Sequence, residues 1–118
     1  MMNILNGFLG ESEKDRLIYD GSHPVDAVNV RVSVPEDTDG VLKRGQVIDY
    51  ADGAYSVHVA SGEVSCIVAE ETEYAAGETE VTVPVYISGT YRKSACITDV
   101  ELTAADLEVF RSKGIYLK

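Results

Sequence analysis

The chain has 118 residues, with 20 acidic against 10 basic side chains and a formal charge of −10 at neutral pH. That length suits one domain able to fold without metal or disulfide staples, and the acidity argues against a nucleic-acid binder or a protein held to an anionic membrane, both of which need a basic face. Hydrophobic residues at 45%, with no apolar run approaching the roughly 20 residues that cross a bilayer, are those of an ordinary globular domain.

Residues 1–20 differ in character from the remainder of the chain. Glycines and polar residues interrupt short apolar groups, and Glu11, Glu13, Lys14, Asp15 and Arg16 form a mixed-charge stretch. This reads as a flexible N-terminal arm. Its apolar content (Ile4, Leu5, Phe8, Leu9, Leu17, Ile18, Tyr19) suits a segment that orders on meeting a partner. The start has no basic region followed by a sustained apolar one, so no signal peptide is expected, and synthesis and use in the cytoplasm are. Residues 21–118 read as a single compact β-rich domain.

Val28, Val30, Val32 and Val34 alternate with Asn29, Arg31 and Ser33, the period of a half-buried strand ending at Pro35. A turn-rich loop comes next, Glu36 to Gly40. Gly45 is expected at a turn or bulge. Asp52-Gly53 predicts a tight hairpin turn between Gln46–Tyr50 and a strand over Ala54–Ala60. In that strand Tyr55, Val57 and Val59 share one face, and His58 is expected on the other, towards solvent. Ser61-Gly62-Glu63 is a further turn.

Residues 64–69 are apolar on both faces, which predicts a central strand. Glu70 to Glu80 is acidic and reads as an exposed loop. Thr79 to Ile87 is the strongest strand, with Val81, Val83, Val85 and Ile87 on one face. Pro84 cannot donate to a ladder, so this strand is expected at an edge or bulged there. Ser88-Gly89-Thr90 is expected to turn the chain. The only helix begins at the N-cap Thr103, with Asp106 near its positive end, Ala104, Leu107 and Phe110 along one stripe, and Gly114 just past its end. Ile115 to Lys118 is a short extended tail whose apolar residues are expected to pack. The fold class is therefore mainly β with one C-terminal helix (α+β), about six short strands joined by turns.

Cys66 and Cys96 sit among small and apolar residues and read as two reduced, buried thiols, with a disulfide as the alternative. Neither they nor His23 and His58 have metal-ligand spacing. No phosphate-binding glycine loop, nucleophile elbow or marked pair of carboxylates is present. No catalytic residue, cofactor, metal or small-molecule substrate is expected. Seven tyrosines, several near strand ends, favour protein contact over chemistry.

The stretch Gly62-Glu63-Val64-Ser65-Cys66-Ile67-Val68-Ala69, an acidic loop, and then Val83-Pro84-Val85-Tyr86-Ile87-Ser88-Gly89-Thr90-Tyr91-Arg92 resembles the core of the lambda-type phage head decoration proteins. Those carry a Gly-x-x-x-Gly-Ile-x-Ala strand, a polar loop, and an aromatic-rich strand ending in Ser-Gly-Thr-aromatic-Arg. Cys66 stands at or near the place of the second glycine. Leu42-Lys43-Arg44-Gly45, Leu102 to Leu107 and Gly114 to Leu117 are also similar to members from phages of Gram-positive hosts. The resemblance covers about residues 40–118.

The resemblance implies a β-tulip fold and a homotrimer on local three-fold sites of the expanded head. Its partner there is the major capsid protein, and it stabilises the shell against internal pressure. It also implies an N-terminal arm that orders on the capsid. Carried onto this chain, the arm is residues 1–20, with Leu17, Ile18 and Tyr19 as candidate capsid contacts. Localisation follows as the virion surface, after synthesis in the host cytoplasm. The alternative is a small β-sheet binding module of a phage tail or of carbohydrate-binding type.

Overall fold

The computed structural model describes residues 17–20 and 25–118. Among the described residues nine strands run in chain order: β1 Ile18–Asp20, β2 Asp26–Ser33, β3 Gly40–Leu42, β4 Val47–Ala51, β5 Ala54–Val57, β6 Val64–Val68, β7 Thr72–Tyr74, β8 Glu80–Tyr91 and β9 Ile115–Leu117. Among the same residues an α-helix, α1, spans Ala104–Ser112, and a 3-10 turn spans Lys93–Ala95. The chain is mainly β with one helix near its C-terminal end, the class read from the sequence.

Five strands close a ring. β8 pairs antiparallel with β2, β2 touches β5 in parallel at Val32 and Tyr55, β5 pairs with β4, β4 with β6, and β6 returns to β8. Asp52 and Gly53 both take positive φ (53° and 81°). This is the turn in which the twist of a two-residue loop matches that of its strands, and it joins β4 to β5. The inward side chains of the ring form one apolar cluster: Val32, Ile48, Cys66, Val68, Val83 and Val85, all buried. Leu42 of β3 joins it and Tyr74 of β7 packs against it. The small β3–β7 sheet is therefore fixed onto the core of the ring. β7 lies within the stretch expected to be an exposed loop. Its three-residue pairing with β3 could not be seen from its acidic composition.

A second core lies outside the ring. Leu17, Val47, Val64, Ile67, Tyr91, Leu102, Phe110 and Ile115 are buried together under α1 and β9. A bulge makes it possible. Ile48 faces Cys66 but Asp49 faces Val64, so Ser65 is an extra residue on β6. An extra residue reverses which way the following side chains point. Cys66 thus enters the ring while Val64 faces the helix. The helix is held by a capping box: Thr103 Oγ1 accepts from Asp106 N at 3.1 Å, and Asp106 Oδ2 accepts from Thr103 N at 2.9 Å. Beyond it Gly114 takes φ 86°, and Ile115–Leu117 pairs parallel with Gly89–Tyr91.

Two expectations about β8 are corrected. It is no edge strand: it pairs with β1, β2, β6 and β9. Pro84 is tolerated because of where its missing donor points. The Pro84 carbonyl accepts from Ala69 N at 2.8 Å, so its nitrogen also faces Ala69. The Ala69 carbonyl, which a proline cannot serve, accepts instead from Arg44 Nη1 at 2.6 Å. Nor do Ser88-Gly89-Thr90 turn the chain. Gly89 takes φ 128° inside the strand, and the Tyr91 hydroxyl donates to the Ser88 carbonyl across it. The positive φ kinks the strand without ending it.

Candidate functional site

The expected arm divides at Leu17. Leu17 is only 1% exposed and belongs to the outer core, so its side chain is held by the domain itself. Its carbonyl accepts from Arg92 N at 2.7 Å. Ile18 packs against the same core, and Ile18–Asp20 is bonded to β8. Of the three candidate contacts, Tyr19 alone is well exposed, at 46%, with the Arg92 guanidinium 5.0 Å from its ring centroid. Residues 1–16 of the arm lie outside the described residues.

Tyr19 stands in a larger apolar surface. Among the described residues, the exposed large apolar side chains include Tyr19, Val25, Val28, Ile87 and Tyr116. All five flank or belong to residues 85–91 of β8. Val28 is opposite Val85, Val25 approaches Gly89, and Tyr116 is paired with Thr90. Sequence alternation directs Val28 and Ile87 inward. The ring explains the difference: β5 meets β2 only near Val32, so the earlier half of β2 has no sheet facing it. A shift of register between Asp26 and Ala27 leaves Ile87 as the extra residue on β8. Apolar side chains gathered beside one strand segment are suited to burial against another protein surface.

A separate polar cluster is enclosed. His58, expected to face solvent, is 2% exposed, and Asp49 is 3% exposed. β5 ends at Val57, so the alternation that assigned His58 outward no longer holds one residue later. Its Nδ1 lies 2.6 Å from Asp49 Oδ1, the donor to a carboxylate that can only accept. Asp49 Oδ2 accepts from Val59 N at 3.0 Å. His58 Nε2 faces Asp106 Oδ2 at 3.6 Å. Asp106 thus serves the helix cap and faces the imidazole together, which pins the first turn of α1 onto β4. A Cβ at Gly62 would overlap Asp49 Oδ2, so the glycine makes room for the carboxylate. An Asp–His pair can serve acid–base chemistry where substrate reaches it. This one is sealed beneath a helix and ties elements together. Nothing in the sequence spacing of Asp49, His58 and Asp106 marked them as neighbours.

Both cysteines are free; Cys66 is buried and Cys96 half-buried. Burial pushes the Cys66 thiol up to about 12 and the Cys96 thiol up to about 11. Thiols so shifted are neutral at physiological pH and are poor nucleophiles. No family model matches the chain, and no curated protein matches it.

Proposed function

We propose that this chain is a non-enzymatic decoration protein of a lambda-type phage head. It binds the major capsid protein as trimers at local three-fold sites and stabilises the expanded shell, and its fold is the β-tulip of that family. The reading rests on the resemblance of residues 62–69 and 83–92 to that family. The observation that supports it best is the apolar surface of Tyr19, Val25, Val28, Ile87 and Tyr116, beside the point where residues 1–16 join the domain. An arm leaving at Leu17 can add a strand to an exposed sheet edge of a capsid subunit. Three arms on one closed trimer raise the effective concentration of each contact, so weak contacts hold together.

The deciding experiment is co-sedimentation with empty expanded heads, with the oligomer mass measured in parallel. The truncation must remove residues 1–16 and spare Leu17, whose loss would open the outer core. The truncated protein is expected to stay folded and trimeric but to stop coating heads. Unimpaired coating refutes the role of the arm, and failure of the full chain to bind any expanded head refutes the reading. The second reading, a small tail or carbohydrate-binding module, is favoured by Tyr50 and Tyr55, whose rings lie 4.8 Å apart on the β4–β5 hairpin. Saturable binding of glycans, lost in Tyr50→Ala, decides for it.

A further inference from the structure

His58 is bonded through one ring nitrogen. Its Nδ1 meets Asp49 Oδ1 at 2.6 Å, whereas Nε2, fully enclosed, has no hydrogen-bond partner. What Nε2 faces is Asp106 Oδ2, at 3.6 Å, just beyond bonding range. That oxygen is an acceptor and already takes the Thr103 N–H at 2.9 Å. Both oxygens of Asp49 accept as well, Oδ2 from Val59 N, so the proton of the Nδ1 contact is the ring's own. In a neutral imidazole it is the ring's only N–H, and Nε2 turns a lone pair towards a carboxylate. Two acceptors then confront each other beneath a helix. One more proton, placed on Nε2, converts that opposition into a charge-assisted hydrogen bond.

We propose that this proton is a latch on α1. With Nε2 protonated, His58 bridges Asp49 of β4 and Asp106 of α1, and the first helical turn is held down. With Nε2 bare, that turn lifts from the sheet. Imidazole changes charge within about pH 5–8, so the latch closes in weak acid and opens as pH rises through that range. Among the described residues, the surrounding charged and titratable groups come from three elements and one turn. β4 supplies Asp49, and α1 supplies Asp106 at its start. Lys113, just past the end of α1, donates to the Val64 carbonyl of β6 at 2.9 Å and lies 3.4 Å from Glu63 in the preceding turn. Cys66 of β6, pushed up to about 12 by burial, stays neutral. The latch has reach because of what the helix covers. Leu102 and Phe110 are buried with Leu17 in the outer core. A lifted first turn therefore loosens the seat of Leu17, where residues 1–16 join the domain.

The test uses the full chain with isotope-labelled histidine, its ring nitrogens read by nuclear magnetic resonance. Both nitrogens of His58 are expected to carry protons at about pH 5.5, and Nδ1 alone at about pH 8. Hydrogen exchange reports the helix through the amides of Asp106 and Leu107, which donate to Thr103 Oγ1 and to the Thr103 carbonyl. Corrected for intrinsic rates, their protection is expected to fall at least about ten-fold over that interval, the effect of losing one hydrogen bond to a charged group. Amides of β2 and β8 are expected to hold steady. Asp106→Asn, at a half-buried position, removes the charge that meets the proton and is expected to abolish the pH difference. Thr103→Ala spoils the cap but spares the carboxylate, so protection is expected to drop at both pH values with the difference kept. A bare Nε2 at about pH 5.5 or equal protection at both values overturns the proposal. So does a fall shared by β2 and β8, or a difference that survives Asp106→Asn.

Discussion

Gly62 is expected to be sensitive to substitution through a residue other than itself. Its backbone is not among the positive-φ glycines, so alanine there meets no backbone strain. The obstacle is Asp49: a Cβ at position 62 would lie 2.7 Å from Asp49 Cγ and closer still to Oδ2, with Val59 Cγ2 at 3.3 Å. Gly62→Ala must therefore displace a carboxylate that is 3% exposed and holds His58 Nδ1 and Val59 N. A hydrogen bond to a charged group contributes about 1.5–3 kcal/mol, and leaving a buried donor or acceptor unsatisfied costs about 1–3 kcal/mol. Partial yielding of the Ser61–Glu63 turn brings the expected loss to about 3 kcal/mol. With a urea slope of about 1–3 kcal/mol/M, the unfolding midpoint falls by about 1–2 M. The assay is a double-mutant cycle with Asp49→Ala, which vacates the space the new methyl needs. In that background Gly62→Ala is expected to cost less than about 0.5 kcal/mol, a strong departure from additivity. Additive losses refute the reasoning, since they place the damage in the turn and not in the carboxylate.

Arg44→Met removes the donor to the Ala69 carbonyl and is expected to cost about 1–3 kcal/mol in urea unfolding; adding Pro84→Ala, which restores an N–H on that side, recovers part of the loss. Thr103→Ala breaks one half of the capping box and is expected to lower stability by about 1 kcal/mol, read by the same assay. Phe110→Ala empties a fully buried site in the outer core, and urea unfolding should register about 3–5 kcal/mol. Stability is expected to fall with alkali: thiols raised from 9.0 to about 12 at Cys66 and about 11 at Cys96 favour the folded state fully below pH 9, and that contribution drains away as pH rises through the folded values. Urea midpoints between pH 8 and 11 check this, and Cys66→Ala is expected to flatten the decline.

Elements set by local chemistry are legible in the sequence. Thr103, Asp106 and Gly114 mark both ends of α1 through groups that satisfy its own terminal N–H and C=O atoms. Asp52-Gly53 marks the hairpin because only positive φ closes it. What depends on partners distant in sequence is not legible. Pro84 suggests an edge because a proline leaves a carbonyl unserved, and the arginine that serves it lies forty positions away. Gly89 suggests a turn, but three neighbouring strands hold it inside β8. His58 follows the alternation of a strand that ends at Val57, and its carboxylate neighbours come from β4 and α1. Leu17 looks like part of an arm, since nothing near it in sequence announces the core it enters. Of the exposed apolar surface, the sequence marks Tyr19; Ile87 is hidden by a periodicity that a bulge interrupts, and Val28 by a strand that runs on past the sheet facing it.

β8 is the seam of both cores, and it is made late. A ribosome releases β2, β4, β5 and β6 before residues 80–91 emerge, so during that interval the ring has a gap and β2 and β6 present unpaired edges to the cell. The four strands that β8 joins span positions 18 to 117, and loops that long must close before their contacts stabilise anything. Native folding is thereby deferred until residues 80–91 have left the ribosome. A nascent chain stalled with residues 1–79 outside the exit tunnel and residues 80–91 inside it should aggregate more, whereas one stalled on an added linker long enough to bring Lys118 out of the tunnel should not.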